Sequence, residues 1–146
     1  RAQPSGNTSL LDASYAGLIL GESDAGRGLM IAFSDGLDTA SWLTPDQVLD
    51  TGKRSDVVVY GVSMAGEAKA TFLRDLGAAT GGSLIEIGST QDLAAEFVRV
   101  LDEFRQRYLL SYTPRGVPAQ GYHRLDVRVK GRDVRIRARP GYLAGG

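Results

Sequence analysis

Three short apolar runs, each followed by a stretch of helical character, limit what this 146-residue chain can fold into. The runs are Leu29-Met30-Ile31-Ala32-Phe33, Val57-Val58-Val59-Tyr60-Gly61-Val62 and Ser83 to Ile87. Continuous apolar character, rather than strict alternation, is what a strand covered on both faces needs. The second run is also rich in β-branched residues. Helical spacing precedes the first run, with Leu10, Leu11, Ser14 and Leu18 on one face and Ala13, Ala16 and Gly17 small enough for close approach. Thr44-Pro45-Asp46-Gln47 opens a second helix to about Lys53, with Thr44 as cap, Pro45 in the first turn and Gln47 completing a capping box. Ala68 to Ala79 reads as a third helix, stopped by Gly81-Gly82. Ser89 or Thr90 caps a fourth, about Asp92 to Arg107, with Leu93, Phe97, Val100, Leu101 and Phe104 on one face. Such alternation predicts a three-layer, doubly wound, mostly parallel sheet with helices on both faces.

The pattern changes at residue 107. Tyr108 to Tyr112 is strand-like, and 113–121 holds two prolines and two glycines and reads as a loop. His123 to Lys130 alternates, with Leu125, Val127 and Val129 opposed to Arg124, Asp126, Arg128 and Lys130. A turn at Gly131-Arg132-Asp133 leads to Val134, Ile136 and Ala138 alternating with Arg135, Arg137 and Arg139. This predicts an antiparallel hairpin with one wet face. Residues 1–107 are therefore read as an α/β unit, and 108–146 as a β extension packed on it.

Charge divides the same way. The 17 basic and 17 acidic residues balance. Residues 1–100 nevertheless hold 7 Lys/Arg against 13 Asp/Glu, and residues 101–146 hold 10 against 4. An acidic body carries a basic C-terminal piece, and opposite charge helps the two dock. With no cysteine, disulfides and thiolate metal sites are excluded. No apolar run approaches the roughly 20 residues of a membrane helix. The start, Arg1 to Gly6, has no apolar signal region and reads as a cut edge or a loop.

In parallel sheets, ligands sit beyond the carboxyl ends of the strands. The first run ends there in Ser34-Asp35-Gly36-Leu37-Asp38-Thr39, with Ser41 close behind. These are hard oxygen donors, suited to Mg²⁺ or Ca²⁺. The same residues are also ordinary turn formers. Upstream, Gly6-Asn7-Thr8 places a hydroxyl just before the first helix, where Thr8 or Ser9 also suits a helix cap. Trp42 follows the Asp35 loop; it either anchors a partner or, the favoured reading, packs under its own loop.

With these residues in place, the chain resembles the von Willebrand factor A-type family. The likeness lies in Gly6-Asn7-Thr8-Ser9-Leu10-Leu11-Asp12-Ala13, in Leu29 to Gly36, and in the strand–helix order that follows. Arg107-Tyr108-Leu109-Leu110-Ser111-Tyr112-Thr113-Pro114, the basic hairpin and Arg139-Pro140-Gly141-Tyr142 are similar to the tail of bacterial members common in acidobacteria. The resemblance spans about residues 5–143. It implies a doubly wound sheet and a metal-ion-dependent adhesion site in which Thr8 and Asp35 help hold Mg²⁺ (or Ca²⁺ or Mn²⁺). An acidic group of a protein partner would complete the coordination. Ser34, Asp38, Thr39 and Trp42 would lie around that site or on its ligand face. Ser34 stands where the family more often has Thr. An extracellular or cell-envelope setting fits this reading.

The family's main metal motif, Asp-x-Ser-x-Ser at the end of an earlier strand, is not in the chain. Asp12-Ala13-Ser14-Tyr15-Ala16 imitates its start but falls inside the first helix. Two ligands are few for a cation that takes six or more oxygens, so the expectation for this polypeptide is weak metal binding or none. The earlier strand would pair with Leu29–Phe33, which otherwise offers an open apolar edge. A further segment, a second copy or the C-terminal strands are candidates to cover it.

Other readings are weaker. Arg124, Arg128, Arg135 and Arg137 could bind a polyanion, but no aromatic residues interleave with them for base stacking, and no nucleic-acid partner is favoured. His123, the only histidine, reads as exposed, and no Gly-x-Ser-x-Gly elbow accompanies it. Gly26-Arg27-Gly28 lacks the Gly-Lys-Ser/Thr of a phosphate loop. Asp35 as a phosphoacceptor would lack an acidic pair before it and a late lysine. The expectation is a binding module and no enzyme. Its rival is a purely structural, metal-free piece of a larger envelope or secreted protein.

Overall fold

A computed structural model describes residues 6–22, 26–65, 70–131, 134 and 136–145. The elements run α1 (Leu10–Gly21), β1 (Leu29–Phe33), α2 (Pro45–Arg54), β2 (Val58–Met64), α3 (Thr71–Thr80), β3 (Ser83–Ile87), α4 (Leu93–Arg105), β4 (Gly121–Arg124) and β5 (Gly141–Ala144). Strands β1, β2 and β3 form one parallel sheet in that order. The central strand β2 is buried from Val58 to Ser63, which is why its sequence is apolar throughout.

Alternate residues of the β2 segment feed two separate cores. Val57 and Val59 pack with Leu11, Leu18, Val48 and Leu76 from the first three helices. Val58, Tyr60 and Val62 pack with Ile85, Ile87 and Val100, the last from α4. Helices therefore cover both faces of the sheet. In α1 the buried residues are Leu10, Leu11, Ser14 and Leu18, as the spacing predicts. Gly17 earns its place in that helix, since a Cβ there would lie 2.8 Å from Met30 Sδ on β1.

The capping signals at α2 take their predicted form: Thr44 Oγ1 accepts from Gln47 N, and Gln47 Oε1 accepts from Thr44 N. Helix α3 begins at Thr71, later than expected; residues 66–69 lie outside the described residues. It ends on Gly81 in the left-handed region, φ 82°. A Cβ on the next residue, Gly82, would lie 1.8 Å from Val59 O, so only glycine lets α3 turn back against β2. Ser89 caps a short 3₁₀ turn, Thr90–Asp92, that leads into α4. On α4, Val100 is buried and Phe104 and Leu93 pack on the core, whereas Phe97 is largely exposed.

The C-terminal piece departs from expectation. Tyr108 to Tyr112 forms no strand, and Tyr108, Leu109 and Leu110 are at least 71% exposed. The antiparallel ladder is confined to β4 and β5, from Gly121↔Ala144 to Arg124↔Gly141, with one further bond from Leu125 N to Pro140 O. The two arms expected over 123–130 and 134–139 do not pair with each other among the described residues, and only His123 and Arg124 of the first arm enter a ladder, with β5; Arg132, Asp133 and Arg135 lie outside the described residues. The reason is packing. Val127, Val129, Val134 and Ile136 are all partly or largely exposed, so their apolar face meets nothing that would repay ordering a ladder. Where the ladder does form, His123 stacks on Tyr142 at 5.1 Å between ring centroids. His123 is thus not simply exposed, and its Nε2 is buried.

The outer edge of β1 carries no partner strand among the described residues. The C-terminal strands do not cover it, because they form a separate two-stranded sheet that packs near α2. No described helix is long and apolar enough to cross a membrane.

Candidate functional site

The loop after β1 is built in tight steps. Ser34 N donates to Val62 O (3.1 Å), carrying the β1–β2 ladder one residue past the strand. Ser34 Oγ then accepts from Gly36 N (3.0 Å), and Asp35 Oδ1 accepts from Leu37 N (3.0 Å). Gly36, at φ 82°, supplies the left-handed turn between them. Asp35 is exposed, and its Oδ2 accepts no hydrogen bond among the described residues.

The same loop is fastened to the start of α1. Thr8 O accepts from Thr39 N (2.8 Å) and Ala40 N (3.1 Å). Thr8 N donates to Thr39 Oγ1 (2.8 Å). These bonds use Thr8's backbone, and its hydroxyl has no partner among the described residues. The α1 cap does not come from Thr8 or Ser9, and Ser9 makes no side-chain cap bond. It comes from the loop instead: Asp38 Oδ2 (2.9 Å) and Ser41 Oγ (3.1 Å) accept from Leu11 N, and Ser41 Oγ also accepts from Asp12 N (3.1 Å).

Asp38 therefore serves as a fastener. Desolvation pushes its carboxyl up, but hydrogen bonds from the Ser41 hydroxyl and from the backbone of Leu11, Ser41 and Ala40 outweigh this and hold it down to about 2. Asp12 returns the favour. Its carboxylate accepts from Trp42 N (3.1 Å) and Leu43 N (3.0 Å), a role the sequence did not disclose. The only hint was an acidic residue in a helix's first turn, where it also suits the dipole.

Trp42 does not pack beneath its loop. Its backbone is pinned by Asp12 while the residue is 95% exposed. Leu43, next to it, goes inward to the core. Phe33, Leu37 and Met64 are also exposed, so the carboxyl ends of β1 and β2 present apolar side chains beside the oxygen-rich loop.

As a cation site the residues fit in kind but not in number. Thr8 and Asp35 offer hard oxygens. Among the described residues, no three His, Cys, Asp or Glu side chains converge as metal ligands.

The arginines considered for polyanion binding are dispersed. Arg137 is committed to Glu103 (2.8 Å), and Arg128 pairs with Asp126 (2.6 Å). Arg124 lies on β4, and Arg135 is outside the described residues. Glu103 joins Tyr60 and Arg107 of the body to Arg137 of the C-terminal piece. It accepts from the Tyr60 hydroxyl (2.5 Å), Arg107 (3.0 Å) and Arg137. Desolvation opposes ionisation of Glu103, but Tyr60, Arg107 and Arg137 hold its pKa below the ordinary value. Burial and the bond to Glu103 push the Tyr60 phenol up.

No protein-family model matches the chain, and neither a curated protein nor a solved structure matches it.

Proposed function

We propose that the chain is the C-terminal part of a doubly wound von Willebrand A-type domain and acts as a protein-recognition or adhesion module, not an enzyme. Its binding face is the carboxyl end of the sheet. Thr8 and Asp35 contribute to a divalent-cation site for Mg²⁺, with Ca²⁺ or Mn²⁺ as chemical alternatives, and an acidic group of the partner completes it. The observation that carries this reading is the backbone pairing of Thr8 with Thr39 and Ala40. It ties the two candidate loops together while leaving the Thr8 hydroxyl and one Asp35 oxygen uncommitted among the described residues. Ser34 and Asp38 shape the loop, and exposed Trp42 is the anchor offered to a protein surface. The remaining metal oxygens have to come from a further segment or from the partner. A cell-envelope or extracellular setting suits such a module.

Calorimetry with Mg²⁺ and Mn²⁺ tests this. Saturable heat that disappears in Asp35→Ala, with melting behaviour unchanged, supports the adhesion reading. No heat in either protein sinks it in favour of a metal-free structural module. That second reading has its own support, because Asp38, Thr39 and Ser41 already spend their oxygens on fastening α1.

A further inference from the structure

The carboxyl end of the sheet leaves large apolar side chains open to solvent. Phe33 at the end of β1, Leu37 and Trp42 in the loop beyond it, and Met64 at the end of β2 are all exposed. Large apolar side chains grouped on a surface and rimmed by polar ones mark a docking site. Here the rim is acidic. The loops at this end and the first helical turns that border it hold Asp12, Asp35, Asp38, Asp46, Asp92 and Glu96 against Arg74 alone among the described residues, and Arg74 lies 3.7 Å from Glu86. Residues 66–69 add one charge of each sign, Glu67 and Lys69, so the balance stays negative.

The complementary surface lies at the other end of the molecule. Residues 126–136 are anchored on both sides to the amino end of the sheet. Leu125 N donates to Pro140 O, Arg139 donates to Ser55 O just before β2, and Arg137 bonds the hydroxyl of Ser83, the first residue of β3. Between these anchors Val127, Val129, Val134 and Ile136 are exposed. Exposed Arg124, Arg128 and Lys130 alternate with them. The pair that Arg128 makes with Asp126 is solvent-exposed on both sides, so it restrains the arginine only weakly. Residues 124–136 hold 5 Lys/Arg against 2 Asp, a net of +3.

We infer that the chain associates head to tail with a second copy of itself, the basic apolar segment 124–136 of one molecule docking on the acidic apolar carboxyl end of the next. Each surface offers the charge and the exposed apolar side chains that the other leaves unmatched, and one chain carries both. Docking within a molecule would pull Arg137 from Glu103 and Arg139 from Ser55, whereas docking between molecules leaves those bonds in place. The two surfaces differ, so the contact is heterologous, and every bound copy keeps a free head or a free tail. The same face carries the proposed cation site, but this contact needs no metal and stands without that reading.

The test is sedimentation velocity of the full chain over rising concentration, to about 1 mM, at low ionic strength with a chelator present. The weight-average mass is expected to climb with concentration and to fall back toward the monomer near about 1 M salt. Trp42→Ala weakens association by about tenfold or more. Val98→Ala, at an exposed apolar residue on the outer side of α4, leaves it unchanged. Reversing the head charges (Asp46→Lys with Asp92→Lys) or the tail charges (Arg128→Glu with Lys130→Glu) leaves each variant monomeric, and mixing the two variants restores association. Should the head variant fail to fold, Trp42→Ala and the tail variant still decide. The proposal is overturned by a monomer at every concentration, by association that Trp42→Ala or the tail variant leaves intact, or by two folded reversed variants that stay apart when mixed. The chelator keeps this test distinct from the cation reading: a monomeric result leaves Mg²⁺ calorimetry unaffected, and absent metal heat leaves the association standing.

Discussion

Thr80 shows how one hydroxyl can join two elements. It is fully buried, accepts from Val59 N (3.0 Å) on β2 and donates to Leu76 O (2.9 Å) in its own helix. Thr80→Val keeps the shape and removes the acceptor. Stranding the Val59 N–H should cost about 1–3 kcal/mol in urea unfolding, and Thr80→Ser should cost less. Gly82 is stricter, since any Cβ meets backbone at Val59 O; Gly82→Ala should lose on the order of 4 kcal/mol or fail to fold. Asp38 carries a pH signature. Its folded pKa, about 2, lies below the unfolded value of about 3.9. Its contribution is therefore fully present above about pH 4 and fades as pH falls toward 2. Asp38→Asn should cost about 0.5–1 kcal/mol at neutral pH, a modest figure because the group is partly solvated. The gap in melting temperature between the two proteins should close on acidification through that window.

At the scale of elements, helices and parallel strands were legible because each carries its own periodicity and punctuation. Thr44, Pro45 and Gln47 mark one helix start, and Gly81 marks another's end, through local bonds alone. The C-terminal strands were legible only as alternation. Alternation requires an opposing apolar face, and Val127, Val129, Val134 and Ile136 do not find one. What ties this piece to the body is the packing of β5 near α2 together with side-chain bonds, Arg137 to Glu103 and Arg139 to Ser55 O among them. Glu103→Ala should leave the Tyr60 hydroxyl without an acceptor and free Arg137. The expected cost is about 1–2 kcal/mol, discounted because Glu103 is over a third exposed. Limited proteolysis should then cut faster within 108–139, while the α/β body melts as one unit.

For the whole molecule, an acidic body and a basic tail predict a salt effect. Raising ionic strength toward about 1 M shortens the screening length to about 3 Å, so the tail should become more open to protease in the parent protein and change less in Glu103→Ala. The alternation of apolar runs and helices determined the sheet's parallel order and its two-sided burial, because these follow from periodicity and from short connections. Asp35, Thr8 and the strand-end loops were also readable, since turn residues and hard oxygens are recognisable in a row of letters. The assignments within the loop were not. Asp38 and Asp12 cap each other's segments across 27 to 31 residues, and Trp42 is pushed outward because its backbone is pinned while Leu43 takes the inward place. Such choices depend on which side chain reaches a distant backbone N–H first. Only the tertiary structure decided them, as it alone brought Tyr60, Glu103 and Arg137 together across 34 to 43 residues.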